Sequence, residues 1–203
     1  VFPAESGTIT LDGIDITKMP EHKRAKYIGR VFQDPMKGTA FDMTIEENLS
    51  IAYNKIRKRG LQAGISKADR ELFQEKLSLL GMGLEDRMKE KVRLLSGGQR
   101  QALTLFMAVI AKPKLLLLDE HTAALDPRTA EIVMKLTDQI VREKKMTTVM
   151  VTHNLRYALE YGDRILMMHQ GKIVLDKVGE EKNQLNTDEI MGIFNRISVE
   201  CGN

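Results

Sequence analysis

Apolar and polar residues alternate through "TITLDGIDIT" (8–17) on either side of Asp12–Gly13, the period of two and the turn dipeptide of a β-hairpin. "PEHKRAKY" reads as a short polar helix, and "IGRVFQDP" as a strand that ends at Pro35. From about residue 42 to 95 the period lengthens to that of helices. "TIEENLSIAYNKI" opens on a Thr with a Glu three positions on, which predicts a capping box. "SKADRELFQEKLSLLGM" puts Leu72, Phe73, Leu77 and Leu80 on one face, with Ser66 as cap and Gly81 as stop.

Beyond residue 96 strands and helices take turns. A helix over 97–111 carries Leu103, Phe106 and Ile110 on one stripe and stops before Pro113. A strand follows at 115–119, a helix at 128–143, a strand at 147–151, a short helix from Asn154, and strands at 164–168 and 172–175. This alternation predicts a parallel sheet covered on both faces, with Leu115 to Leu118 buried on both sides of a central strand. No internal repeat interrupts the pattern.

Composition narrows the choices. The chain has 203 residues, 42% apolar and 29% charged, with a net charge of +3. That is enough apolar surface for a sizeable core, and too mild a charge to call for nucleic acid. The one basic cluster, "NKIRKRG" (54–60), reads as a solvated helix end. The single cysteine, Cys201, rules out a disulfide framework and fits a reducing compartment. No apolar run approaches the roughly 20 residues of a membrane span, and no signal peptide is visible. The chain begins at Val1, and "VFPAESGTITLDG" reads as the middle of an element, so a fragment is expected.

Candidate chemistry gathers at strand ends. Asp119 and Glu120 follow four leucines, at the edge where open α/β sheets bind ligands. Adjacent strand residues point to opposite sides, so one acid can hold magnesium through water while the other polarises an attacking water. A buried strand ending in two solvated acids explains the same stretch. In "LLSGGQRQ" (94–101), Ser96 stands at a helix start with Gly97 and Gly98 behind it, where backbone N–H groups and the helix dipole favour an anion. Alone, that stretch reads first as an ordinary N-cap with a flexible approach. Gln33, in "VFQDP", and His153, in "VMVTHN", each follow an apolar strand. An amide can ligate a cation and orient water, and an imidazole can reach a phosphate oxygen, though each residue read singly is as well explained structurally.

Taken together, "VFQDP", "LSGGQ" (95–99), "LLLLDE" (115–120), "ALD" (124–126) and "VTHN" (151–154) stand in the order found in the ATP-binding cassette ATPases, and the chain resembles that family over nearly its whole length. The resemblance implies an α/β fold of the P-loop NTPase (RecA-like) kind. Its mostly parallel sheet would carry an inserted helical subdomain and a partial antiparallel β-subdomain. Residues 1–41 would form that β-subdomain with the Gln33 loop, 42–95 the helical subdomain, and 96–203 the α/β core. By the same resemblance Asp119 holds magnesium, Glu120 is the catalytic base, Gln33 touches metal and water, and His153 meets the γ-phosphate. Ser96, Gly97, Gly98 and Gln99 would grip ATP held by a second subunit, and Asp126 would cross the dimer seam. His121 stands where the family usually has Pro, which alters the turn after Glu120.

ATP and Mg2+ are thus the expected cofactors. The expected partners are transmembrane permease subunits, a second copy forming a homodimer through the ATP sandwich, and a solute-binding protein, with no nucleic acid. The implied location is cytoplasmic, peripheral on the inner face of the cell membrane, with "DPMKGTAFDMT" (34–44) as the coupling surface. The wording of the motifs is similar to that of bacterial importers of amino-acid-like solutes. No G-x-x-x-x-G-K-[ST] phosphate loop occurs in the 203 residues, so the chain as written is expected to bind ATP poorly and not to turn it over. Two alternatives remain at this point: a cassette ATPase acting on nucleic acid or ribosomes, and a non-catalytic chain lending its signature to a partner.

Overall fold

The structure, a computed structural model, describes residues 4–54 and 64–200. Most of the basic cluster, residues 55–60, and Cys201 lie outside the described residues. The chain divides after Val151 into two compact units.

The first unit opens with the hairpin of β1 (Thr10–Leu11) and β2 (Ile14–Asp15), paired Thr10 to Asp15 and Leu11 to Ile14. Asp12 and Gly13 take φ of 49° and 75°, the left-handed pair that a two-residue hairpin turn requires. After α1 (Glu21–Arg24) come β3 (Ile28–Val31), α2 (Ile45–Asn54), α3 (Lys67–Ser78), α4 (Gly97–Ile110), β4 (Leu115–Asp119), α5 (Pro127–Lys144) and β5 (Thr147–Val151). The three longer strands form a parallel sheet in the order β3-β4-β5. The expected capping box ahead of α2 is present, and the expected Ser66 cap ahead of α3 is a capping box too. Thr44 and Glu47 exchange hydrogen bonds ahead of α2, and Ser66 does so with Asp69 ahead of α3.

One core joins these elements. Val31, Leu116 and Leu118 on one side of the sheet cluster with Leu103, Phe106 and Val109 of α4 and with Leu136 and Ile140 of α5. The same cluster runs on through Ile45, Leu49, Phe73, Leu77 and Leu84, which anchor the helical region to α4. The sheet and α4 approach closely at Gly29, where a Cβ would lie 2.6 Å from the carbonyl oxygen of Ala108.

Two expectations are corrected here. The four leucines of β4 are not buried on both faces: Leu116 and Leu118 are fully buried, whereas Leu115 and Leu117 are half-buried. Register explains the asymmetry. Leu117 pairs with Arg30 and Val149, and Val149 and Val151 remain 51% and 56% exposed. The charged and exposed neighbours therefore sit on the side away from Leu116 and Leu118. Helix α4, in turn, buries far more than one stripe. Gln101, Ala102, Leu103, Thr104, Leu105, Phe106 and Val109 are all buried, because α4 packs against β3, α2 and α5 at once.

The second unit holds α6 (Leu155–Glu160), the strands β6 (Arg164–His169) and β7 (Lys172–Val178), α7 (Glu180–Asn183) and α8 (Thr187–Glu200). The strands pair antiparallel through Gln170–Gly171, with φ of 47° and 76°, so this pair does not continue the parallel pattern. Arg164 bonds Asp176 across it at 2.8 Å. Among the described residues no helix is long and apolar enough to cross a membrane.

Candidate functional site

Strand β4 lies at the centre of the sheet and ends on Asp119. On the half-open side, the Arg30 guanidinium donates to Asp119 Oδ2 at 2.9 Å and lies 4.5 Å from the centre of the Phe32 ring. Sequence reasoning missed Arg30 as the partner of Asp119. It is 89 positions from its partner, so only strand register brings the two together.

Glu120 then turns sharply, with φ of 44°. A left-handed non-glycine residue costs about 1–3 kcal/mol, and such strain persists only where neighbours enforce it. Here the Glu120 N–H donates to the Val151 carbonyl at 2.9 Å, and the Glu120 carbonyl accepts from the Ala123 N–H at 2.9 Å.

His121, expected only to alter this turn, anchors it. Its side chain is buried, and Nε2 lies 3.2 Å from Thr137 Oγ1. Thr137 spends its hydroxyl proton on the Val133 carbonyl at 2.7 Å, so its oxygen accepts and His121 carries the proton on Nε2. Burial pushes the His121 pKa down to about 4. Between about pH 6.5 and that value the unfolded chain takes up a proton that the folded chain refuses, so stability falls as acid is added. The expected loss from His121 is about 2 kcal/mol between pH 7 and pH 5. Urea unfolding at the two pH values checks it: His121→Gln should show a shallower pH dependence than the wild type. Equal slopes would remove this assignment.

The glycine-rich stretch begins α4 with a second reciprocal cap. Gln99 N–H donates to Ser96 Oγ, and Ser96 N–H to Gln99 Oε1, both at 3.2 Å. The N–H groups of Gly97 and Gly98 have no acceptor within the helix, which leaves donors and a positive dipole end for an anion. Asp126 is exposed and caps α5, accepting the Thr129 N–H at 3.1 Å. Its hydrogen bonds with Thr129 hold its carboxyl below the usual carboxylate range.

The starts of α4 and α5 abut. A Cβ on Gly98 would lie 2.2 Å from Thr129 Cγ2, and one on Gly97 would lie 3.4 Å from Leu125. Gly98→Ala is therefore expected to destabilise the fold by about 1–3 kcal/mol, and Thr129→Ser to restore much of the loss. Thermal unfolding of the single and double variants checks this.

Val31 and Leu118 are in register, so Gln33, Asp119 and Glu120 come to the same edge of the sheet. Ser96, Gly97, Gly98 and Gln99 form a second group with Asp126. His153 follows β5 by two residues and belongs to the second unit, where it is exposed ahead of α6. Among the described residues no cluster of three or more His, Cys, Asp or Glu could by itself cage a metal ion. Magnesium needs no such cage when it arrives with phosphates, since one or two carboxylates, waters and phosphate oxygens complete its shell. By the family resemblance the Asp119 carboxylate, here paired with Arg30, and the Gln33 amide oxygen are the candidates for that role.

The model of the ABC transporter family matches residues 1–123. The "Tyrosine transport ATP-binding protein" of Clostridioides difficile is 50% identical over 189 residues, which are 93% of this chain and 75% of that protein. The "Arginine transport ATP-binding protein ArtM" of Bacillus subtilis is 36% identical over 176 residues, covering 84% of this chain and 68% of its own length. The ATP-binding cassette MJ0796, solved as a dimer in a post-hydrolysis state bound to ADP and Pi, superposes with a TM-score of 0.68. It is 28% identical and covers 86% of this chain and 74% of that one. The fold is thus that of a P-loop NTPase of the cassette type, and the chain belongs to the ABC transporter ATPases.

Proposed function

We propose that this protein is the ATP-hydrolysing subunit of a bacterial importer for an amino-acid-like solute. The observation that supports the ATPase reading is the register of β3 with β4, which brings Gln33, Asp119 and Glu120 to one edge of the sheet. The names of the tyrosine and arginine transport relatives support the solute class.

In this reading Asp119 and Gln33 would hold magnesium. When bound with the nucleotide, the metal neutralises phosphate charge. Glu120 accepts a proton from the attacking water, and its kinked backbone sets the direction of the carboxylate. The Gln33 amide orients the same water. Ser96, Gly97 and Gly98 direct their donors at the phosphates of ATP carried by a second copy, and Asp126 faces that copy. His153 supplies an imidazole to the γ-phosphate. Residues 42–95 act as the helical arm, and 34–44 meet the permease subunits. The subunit works at the cytoplasmic face of the cell membrane, in a system that includes a solute-binding protein. The 203 residues, without a phosphate-loop pattern, turn over no ATP by themselves.

The test pairs two measurements. The protein expressed from its native gene is assayed for Mg-ATP hydrolysis, with turnover of about 0.1–10 per second expected. In cells, uptake of labelled tyrosine is compared with and without the gene. Hydrolysis without any uptake defect would sink the solute assignment, and absence of hydrolysis would sink the ATPase.

A further inference from the structure

We propose that Arg87 is a positioning residue for the anion-binding start of α4, and that Gln99 acts as the clasp it holds rather than as a direct contact to nucleotide. This rests on the nucleotide reading of that helix start given above.

The side-chain amide of Gln99 is already engaged. Its Oε1 accepts from the Ser96 N–H at 3.2 Å and from Arg87 NH1 at 3.0 Å, while Nε2 donates to the Met82 carbonyl at 3.1 Å. Arg87 turns the rest of its fork on Glu90, with Nε and NH2 donating to Oε2 at 3.0 and 2.6 Å. One planar guanidinium thus joins a carboxylate and an amide in fixed geometry, which a lysine could not do. The Arg87–Glu90 pair also holds the Glu90 carboxyl below its usual range.

The segment around Arg87 is itself tied down. The carbonyls of Met88 and Glu90 accept from the N–H groups of Glu46 and Ile45, at 3.0 Å each. These are the unpaired donors at the start of α2, so residues 82–90 bridge the beginnings of two helices. With Gln99 held in this way, the Gly97 and Gly98 N–H groups and the Ser96 hydroxyl proton remain as donors to an anion, beside the second Nε2 proton of Gln99. Their aim depends on the clasp. Glu90 reaches the start of α4 through Arg87, so removing Arg87 takes away one of the three hydrogen bonds that hold the Gln99 amide and leaves those with Ser96 and Met82.

Enzyme kinetics of the protein expressed from its native gene separate this role from a purely structural one. Arg87→Ala is expected to raise the ATP concentration for half-maximal hydrolysis about tenfold while kcat falls by less than about threefold. Arg87→Ala with Gln99→Ala should be scarcely worse than the more damaging single variant, since the two act as a unit. Gln99→Glu should be milder than Gln99→Ala, because a carboxylate still accepts from Ser96 and Arg87. A residue touching phosphate directly would give the reverse order, and that order, or additive singles, would overturn the proposal. Amide hydrogen exchange in the same protein supplies a readout independent of turnover. The Gln99 and Arg100 N–H groups, both bonded to Ser96, should exchange about tenfold faster in Arg87→Ala. Unchanged exchange overturns the positioning role. A wild type that hydrolyses no ATP defeats the proposed function, and exchange alone then decides the clasp.

Discussion

Replacing Glu120 by Gln is expected to slow ATP hydrolysis by the protein from its native gene at least about 100-fold, the usual contribution of a positioned general base. The substitution keeps the size of the side chain and removes its capacity to take a proton. It should leave the turn intact, because what holds Glu120 at φ 44° is its own backbone, through Val151 and Ala123, together with the buried His121 beside it. ATP binding should survive, and ATP that is bound but not split should hold two copies together. Size-exclusion chromatography with ATP would then show a longer-lived dimer than the wild type gives. Hydrolysis within about threefold of wild type would mean that another group takes the proton, and the role assigned to Glu120 would fall. Equal loss of hydrolysis and of ATP binding would point to a collapsed turn. His121→Gln, which loosens the same turn without touching the carboxylate, separates the two cases.

Phe73→Ala is expected to lower stability by about 4 kcal/mol. Phe73 is fully buried on α3, and its ring meets Tyr53 of α2 edge-on, with centroids 5.8 Å apart and planes at 88°. The loss therefore combines a large cavity with a favourable aromatic pair. Domains are typically stable by only about 5–15 kcal/mol, so this one change removes a large share. Its neighbour Leu72 is half-buried, and Leu72→Ala should lose only about 1 kcal/mol. Urea titrations of the two variants compare them directly. Similar midpoints would show that α3 does not seat against α2 through Phe73.

Much of the local structure was legible. Asp12–Gly13 announces its turn because both residues tolerate left-handed backbone. Thr44 with Glu47, and Ser66 with Asp69, announce helix starts because a cap needs only partners three positions apart. Ser96 with Gln99 has the same form, and the N-cap reading of "LSGGQ" holds alongside the anion-binding one. The leucines of β4 misled, because a continuous apolar run signals burial without saying which face is covered. The antiparallel pairing of β6 and β7 departs from the parallel pattern expected there, because the chain reverses at once through Gln170–Gly171.

The sequence by itself determined the family, the order of its motifs and the places where helices and strands begin, since these depend on residues within a few positions of one another. Only the tertiary structure decided what each site residue meets. Asp119 faces Arg30 because parallel register sets β3 against β4. Gln99 is held by Arg87 because an intervening loop folds back on the start of α4. His121 is driven neutral because α5 closes over the turn and presents Thr137. Charge, burial and direction depend on distance in space, which spacing along the chain does not carry.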